Sequence, residues 1–203
     1  HVLKYHQINC DYMVGAQVDG FDNMVQLSDD NTVIILEGDE YLSSPIDRRP
    51  KFHLYKPHLA VISGIAWDHI NVFPTFENYL DQFRIFKNSI QDCLIYCSDD
   101  PQIVALVNED NNCSLIPYGI HPHLIKKGIT YLETENNNIP ISIFGNHNLQ
   151  NINAAKLVCH ELGVLEDDFF KAITTFKGAE KRLELVVELE TCNVYKDFAH
   201  SPS

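Results

Sequence analysis

The runs Leu59-Ala60-Val61-Ile62-Ser63-Gly64-Ile65 and Cys93-Leu94-Ile95-Tyr96-Cys97 decide the fold. Each is short and almost continuously apolar, as expected of a strand covered on both faces. Between them Pro74 opens a segment in which Phe76, Leu80, Phe83, Phe86 and Ile90 recur at helical spacing. After the second run, Ser98-Asp99-Asp100-Pro101 reads as a helix start with proline in the first turn, and 103–107 as its body. Residues 114–118 form the next strand. This β-α-β-α-β rhythm predicts an α/β fold, a mostly parallel sheet flanked by helices.

Working outward, Val33-Ile34-Ile35-Leu36 is a further apolar run, expected as another buried parallel strand. Downstream the character changes. Residues 128–133 and 139–144 read as two strands joined by Asn136-Asn137-Asn138. Helices follow at about 149–162 and 166–176, joined at Gly163, and a final strand pair spans 182–190 and 193–198. A domain edge is expected near Glu188, giving a main domain over 1–187 and the first strand of a following domain over 188–203.

The 203 residues carry 15 Lys and Arg against 28 Asp and Glu, a formal charge of −13. With 45% hydrophobic and 21% charged residues the chain has a globular composition, not a disordered or coiled-coil one. The acidity argues against broad contact with a nucleic-acid backbone. Anionic ligands would need metal ions or placed donors. No apolar run approaches the ~18–20 residues of a membrane span, and the first residues lack a basic-then-apolar leader pattern. The six cysteines sit within apolar stretches without paired spacing, and are expected as reduced core thiols of a cytoplasmic protein. The abrupt start at His1 reads as that of an excised domain.

Five blocks offer chemistry. Glu37-Gly38-Asp39-Glu40-Tyr41 follows the 33–36 strand, where open α/β sheets bind ligands and where Mg²⁺ finds carboxylates. A solvated acidic turn is the alternative. Trp67-Asp68-His69 stands at the end of the 59–65 strand and is expected one strand over, on the same sheet edge. Gly145-Asn146-His147-Asn148-Leu149-Gln150-Asn151-Ile152-Asn153-Ala154-Ala155 opens a helix whose first turn suits a polar ligand. Asn148 and Asn151 share a face and can read a base edge, although capping explains either one alone. Arg182 suits a phosphate, or simply pairs with Glu180 or Glu184. Asp197, in Asp197-Phe198-Ala199-His200-Ser201-Pro202, can accept a ribose hydroxyl.

In this order the five blocks resemble the central domain of the Mur ligases, the ATP-dependent amide-forming ligases of peptidoglycan assembly. The resemblance implies a P-loop-NTPase-like, ATP-binding domain. It also implies phosphorylation of the muramoyl carboxylate of UDP-N-acetylmuramate to an acyl phosphate, which an incoming amine attacks. By position, Glu37 and His69 would ligate Mg²⁺ and Arg182 would stabilise phosphate charge. Asn148 and Asn151 would face the adenine and Asp197 would hold the ribose. The run Glu40-Tyr41 with Asp47-Arg48-Arg49-x-Lys51-Phe52 most resembles the members that add a recycled peptide. The L-alanine-adding members are the alternative, and a non-catalytic nucleotide-binding scaffold is the alternative of another class. The family's Gly-Lys-Thr/Ser phosphate loop is absent from the 203 residues, and Asn71, Lys196 and Ser201 depart from its pattern. The expectation is therefore an inactive fragment lacking the UDP-binding N-terminal domain and most of the C-terminal domain.

Overall fold

A run of apolar residues becomes a central strand only when it finds neighbours on both edges, and Cys93–Cys97 does. The computed structural model describes residues 1–15, 23–68, 70–178, 184–189 and 191–196, and these fall into two compact units.

One unit comprises residues 36–121 and 145–169. Its sheet consists of β4 (Leu59–Ile62), β5 (Cys93–Cys97) and β6 (Ser114–Tyr118) in the order β4-β5-β6. Both pairings are parallel, Leu59 opposite Cys93 and Cys93 opposite Ser114. Leu94 and Ile95 at the centre are wholly buried, each contributing about 1.5–3 kcal/mol of burial free energy. Helix α2 (Phe76–Ser89) lays Tyr79, Leu80 and Phe83 into this core. Its N-cap Thr75 accepts from the Asn78 amide. Helix α3 (Pro101–Val107) starts with proline at its first turn and contributes Ile103, Leu106 and Val107 to the core. Helix α4 (Asn146–Glu161) contributes Ala154. The buried Lys87 ammonium is satisfied by the Leu106 and Asp110 carbonyls at 2.9 and 3.0 Å, fastening α2 to the C-terminal end of α3.

The other unit comprises residues 1–35, 122–144 and 170–203. Its described part begins with α1 (Val2–Tyr5). Strands β1 (Asp11–Met13), β2 (Val25–Gln26) and β3 (Ile34–Leu36) form a small sheet in the order β2-β1-β3. Strands β7 (His123–Lys126), β8 (Ile129–Glu133) and β9 (Asn138–Ile141) form an antiparallel meander. Lys127 and Gly128 both have positive φ, 52° and 79°. Such a pair makes the two-residue primed turn that matches strand twist. Strands β10 (Glu184–Glu188) and β11 (Asn193–Lys196) form a hairpin with a register shift between Leu185 and Val187. Helix α5 (Glu166–Ile173) runs across the boundary between the units in the chain.

The parallel β-α-β-α-β core agrees with the sequence expectation. The 33–36 run does not. It pairs with β1 instead of joining the parallel sheet, and Ile34 and Ile35 are 48% and 46% exposed. Strand β3 is an edge strand, and a short apolar run does not reveal which neighbour it will find. Strands β1, β2 and β7 were not expected; they are short and lack a clean alternation. All six cysteines are free, but only Cys93, Cys97 and Cys159 are buried. Cys192 is exposed, because its segment turns between β10 and β11, where its carbonyl accepts from the Leu189 amide.

Candidate functional site

The expected sites cluster where strands end, and the first unit supplies three parallel strand ends on one edge. Beyond β4, the loop from Ser63 to Asp68 is tied down by a single carboxylate. One Asp100 oxygen accepts from the Ile65 amide at 2.8 Å, and the other accepts from the Gln102 and Ile103 amides at 2.7 and 3.3 Å. Asp100 is therefore both the N-cap of α3 and the clasp of the loop that carries Trp67 and Asp68. The Trp67 indole N–H donates to the Phe73 carbonyl at 3.0 Å, which leaves Asp68 exposed at the loop end.

At the ends of β5 and β6, the Gln150 amide of α4 donates to Asp99 at 2.9 Å. The Asn153 amide donates to the Gly119 carbonyl at 3.0 Å. The N-terminal half of α4 is thereby fixed against these strand ends. Its N-cap is Gly145, at φ 89°, and its first turn holds no acidic residue. The positive end of the helix dipole is thus not offset by a carboxylate of its own first turn. Asn148 is half-buried and Asn151 exposed, on the face three residues apart that the sequence indicates.

Glu37 is exposed immediately after β3. The expectation that it and Asp68 stand on neighbouring strands of one sheet is not met, since β3 and β4 belong to different sheets. The segment that follows Glu37 is tied instead to Tyr79 of α2, which is 1% exposed. Its hydroxyl donates to Glu40 at 3.0 Å. Burial, and then the charges of Glu40 and Asp68, push its phenol far above the usual range. Asp39 takes the Tyr41 amide at 2.8 Å on one oxygen and the Lys51 ammonium at 2.6 Å on the other. This pairing holds the Lys51 ammonium above its ordinary pKa.

Tyr79 and Asp99 were not singled out by the sequence as site residues, and Lys51 and Gln150 stood in quoted motifs without a role of their own. Asp99 carried a usable signal, since it directly follows a parallel strand. Tyr79 carried none, because its helical spacing marks only a core position. His69, Arg182 and Asp197 lie outside the described residues. Among the described residues no three His, Cys, Asp or Glu side chains converge as a metal site. A hard cation held by one or two carboxylates, with substrate oxygens completing its shell, is the kind that Glu37 fits.

Residues 20–159 match the family described as Mur ligase middle domain. The chain is 28% identical to the UDP-N-acetylmuramate–L-alanine ligase of Porphyromonas gingivalis, over 100% of this chain and 46% of that protein. It is 26% identical to the UDP-N-acetylmuramate–L-alanyl-gamma-D-glutamyl-meso-2,6-diaminoheptandioate ligase of Haemophilus influenzae, over 99% and 47%. The chain thus spans about half the length of these curated relatives. Among solved structures it superimposes on the MurF ligase of Thermotoga maritima in complex with ADP with a TM-score of 0.71, 18% identity, and coverage of 96% of this chain and 48% of that one. Family pattern, relatives and fold agree: this chain belongs to the Mur ligase family, and carries its middle domain.

Proposed function

We propose that the chain is the nucleotide-binding part of an ATP-dependent ligase that joins an amine to the muramoyl carboxylate of UDP-N-acetylmuramate through an acyl phosphate. The supporting observation is one unit in which the acidic segment after Glu37 is tied to α2 through Tyr79 and Asp68 stands exposed at the end of the loop beyond β4, while α4 begins at Gly145 without an acidic residue in its first turn. That combination suits a polyanionic nucleotide and its counter-ion. It is supported by the likeness to a ligase that binds ADP.

In this reading Glu37 and His69 would hold Mg²⁺, which would supply charge neutralisation at the phosphate oxygens. Asn148 and Asn151 orient the adenine, Arg182 meets phosphate oxygens with its planar fork, and Asp197 holds the ribose. Residues 1–187 form the central domain and 188–203 lead into the next. The protein works in the cytoplasm, in peptidoglycan synthesis or recycling. The preferred acceptor is the L-alanyl-γ-D-glutamyl-diaminopimelate peptide, on the strength of Glu40-Tyr41 and Asp47-Arg48-Arg49-x-Lys51-Phe52. The L-alanine-adding reading is favoured by the likeness to the Porphyromonas gingivalis enzyme.

The test is phosphate release by the product of the full reading frame, given ATP, Mg²⁺ and UDP-N-acetylmuramate, with the tripeptide or L-alanine as acceptor. Tripeptide-dependent release supports the preferred reading, and L-alanine-dependent release selects the other. Nucleotide binding without release under either acceptor points to the non-catalytic scaffold.

A further inference from the structure

Anionic substrates approaching a chain of charge −13 need a placed cation. In the unit that carries the candidate site, most described cations whose partners are defined are held by other carboxylates or carbonyls. Arg84 is held by Glu77, Asp81 and Glu109. Lys87 is buried among carbonyls. Lys156 pairs with Glu166 and Arg49 with Asp47. Lys51 differs in place and in mounting.

Its backbone is fixed, because its amide donates to the Tyr41 carbonyl at 3.0 Å and it opens a 3-10 turn, Lys51–Leu54, in which Phe52 is buried. Its side chain is 41% exposed and reaches Asp39 at 2.6 Å. Asp39 needs no Lys51 to stay in place, since its other oxygen closes a turn on the Tyr41 amide. Asp39 is two residues after Glu37, so its pair with Lys51 places the ammonium on the same segment end. The Tyr55 hydroxyl is buried without a hydrogen-bond partner, in the field of Lys51 and Asp39. An ammonium carried on a fixed backbone thus stands beside a carboxylate that is already satisfied on one side.

We propose that Lys51 is a substrate-contacting cation: its ammonium meets an oxyanion brought to the Glu37 edge, with Asp39 as its positioning residue and the unpartnered Tyr55 hydroxyl as a second donor to that oxyanion. This rests on the ligase reading above. The oxyanion is a phosphate oxygen of the nucleotide or the carboxylate of the acyl substrate. In both cases a charge-assisted hydrogen bond forms without rearranging the 39–41 turn. The motif that carries Lys51 is also the one that sets this chain towards the peptide-adding members, and the role gives that motif a physical reason.

The experiment uses the full-length enzyme and the variants Lys51→Met, Lys51→Arg and Tyr55→Phe. ADP affinity is measured by calorimetry in EDTA, and KM is measured separately for ATP and for UDP-N-acetylmuramate. Lys51→Met is expected to weaken either ADP binding together with the KM for ATP, or the KM for UDP-N-acetylmuramate alone, by about tenfold. Lys51→Arg should recover most of the loss, because it keeps the charge. The first pattern identifies the phosphate as the ligand and the second the carboxylate. Tyr55→Phe should shift the same constant in the same direction by less. Values within twofold of wild type in both constants, with the fold intact, overturn the role of Lys51. If Lys51→Met fails to fold, Lys51→Gln is read in its place by the same criteria. Wild-type enzyme that releases no phosphate from any acceptor overturns the ligase reading, while the ADP arm still reports on Lys51.

Discussion

The hydroxyl of Tyr79 donates to Glu40 across 3.0 Å, from a ring that is 1% exposed. This bond joins α2 to the acidic segment that follows β3. Tyr79→Phe keeps the ring and removes the bond, so stability should fall by about 1 kcal/mol. A urea melt checks this, and an unchanged midpoint would remove the bond from the stabilising set. The phenol is held protonated well above its ordinary range. The unfolded chain releases that proton near pH 10, so the folded state binds the extra proton and stability falls as pH climbs beyond about 10. The fall should be shallower in Tyr79→Phe.

Asp100 serves two elements with one carboxylate. Asp100→Ala should cost about 1–2 kcal/mol, the upper part of the range for a lost N-cap, because the Ile65 amide loses its acceptor as well. Asp100→Asn should retain part of the cap and cost less. Thermal melts of the two variants, measured side by side, test the order.

Asp47 is gripped by Arg49, which holds its carboxyl down to about 2. Its ordinary value is about 3.9. The folded pKa lies below the unfolded one, so this pair's contribution is complete above about pH 4 and fades as pH drops towards 2. Carbon-13 carboxyl titration should show the depressed midpoint, and Arg49→Gln should raise it only part of the way to its ordinary value, because the residue-49 amide still donates to Asp47. A midpoint unmoved by that change would assign the depression to another cause.

Glu37→Ala or His69→Ala in the full-length enzyme should lower phosphate release by at least about a hundredfold, as loss of a metal ligand or its support does. Melting temperature should hardly move for Glu37→Ala, because Glu37 is exposed. Wild-type rates in either variant would strike that residue from the site. The 203-residue chain alone, which contains no Gly-Lys-Thr/Ser run, should release no phosphate.

The parallel core was legible because its signal is local. Uninterrupted apolar runs such as 93–97 need two covered faces, and Asp100-Pro101 marks a helix start wherever it stands. Strand β3 was misplaced because pairing is a long-range choice: four apolar residues fit a buried strand or an exposed edge equally well. The segments around Glu37 and Asn148 stand out in the sequence as motifs. The bond from Tyr79 to Glu40 does not, since no spacing in the chain records which core phenol will face which carboxylate. The Lys127-Gly128 turn was hidden for another reason. Lysine at positive φ is tolerated there by tertiary context against its own preference.

The double grip of Asp100 has a mechanical consequence. The segment bearing Asp68 and the first turn of α3 hang from one carboxylate. Displacing the 63–68 loop frees one Asp100 oxygen and loosens the side chain whose other oxygen caps the Gln102 and Ile103 amides. Those two amides are therefore a built-in gauge: their exchange with solvent deuterium should slow when a ligand immobilises the loop, on an element that never touches it.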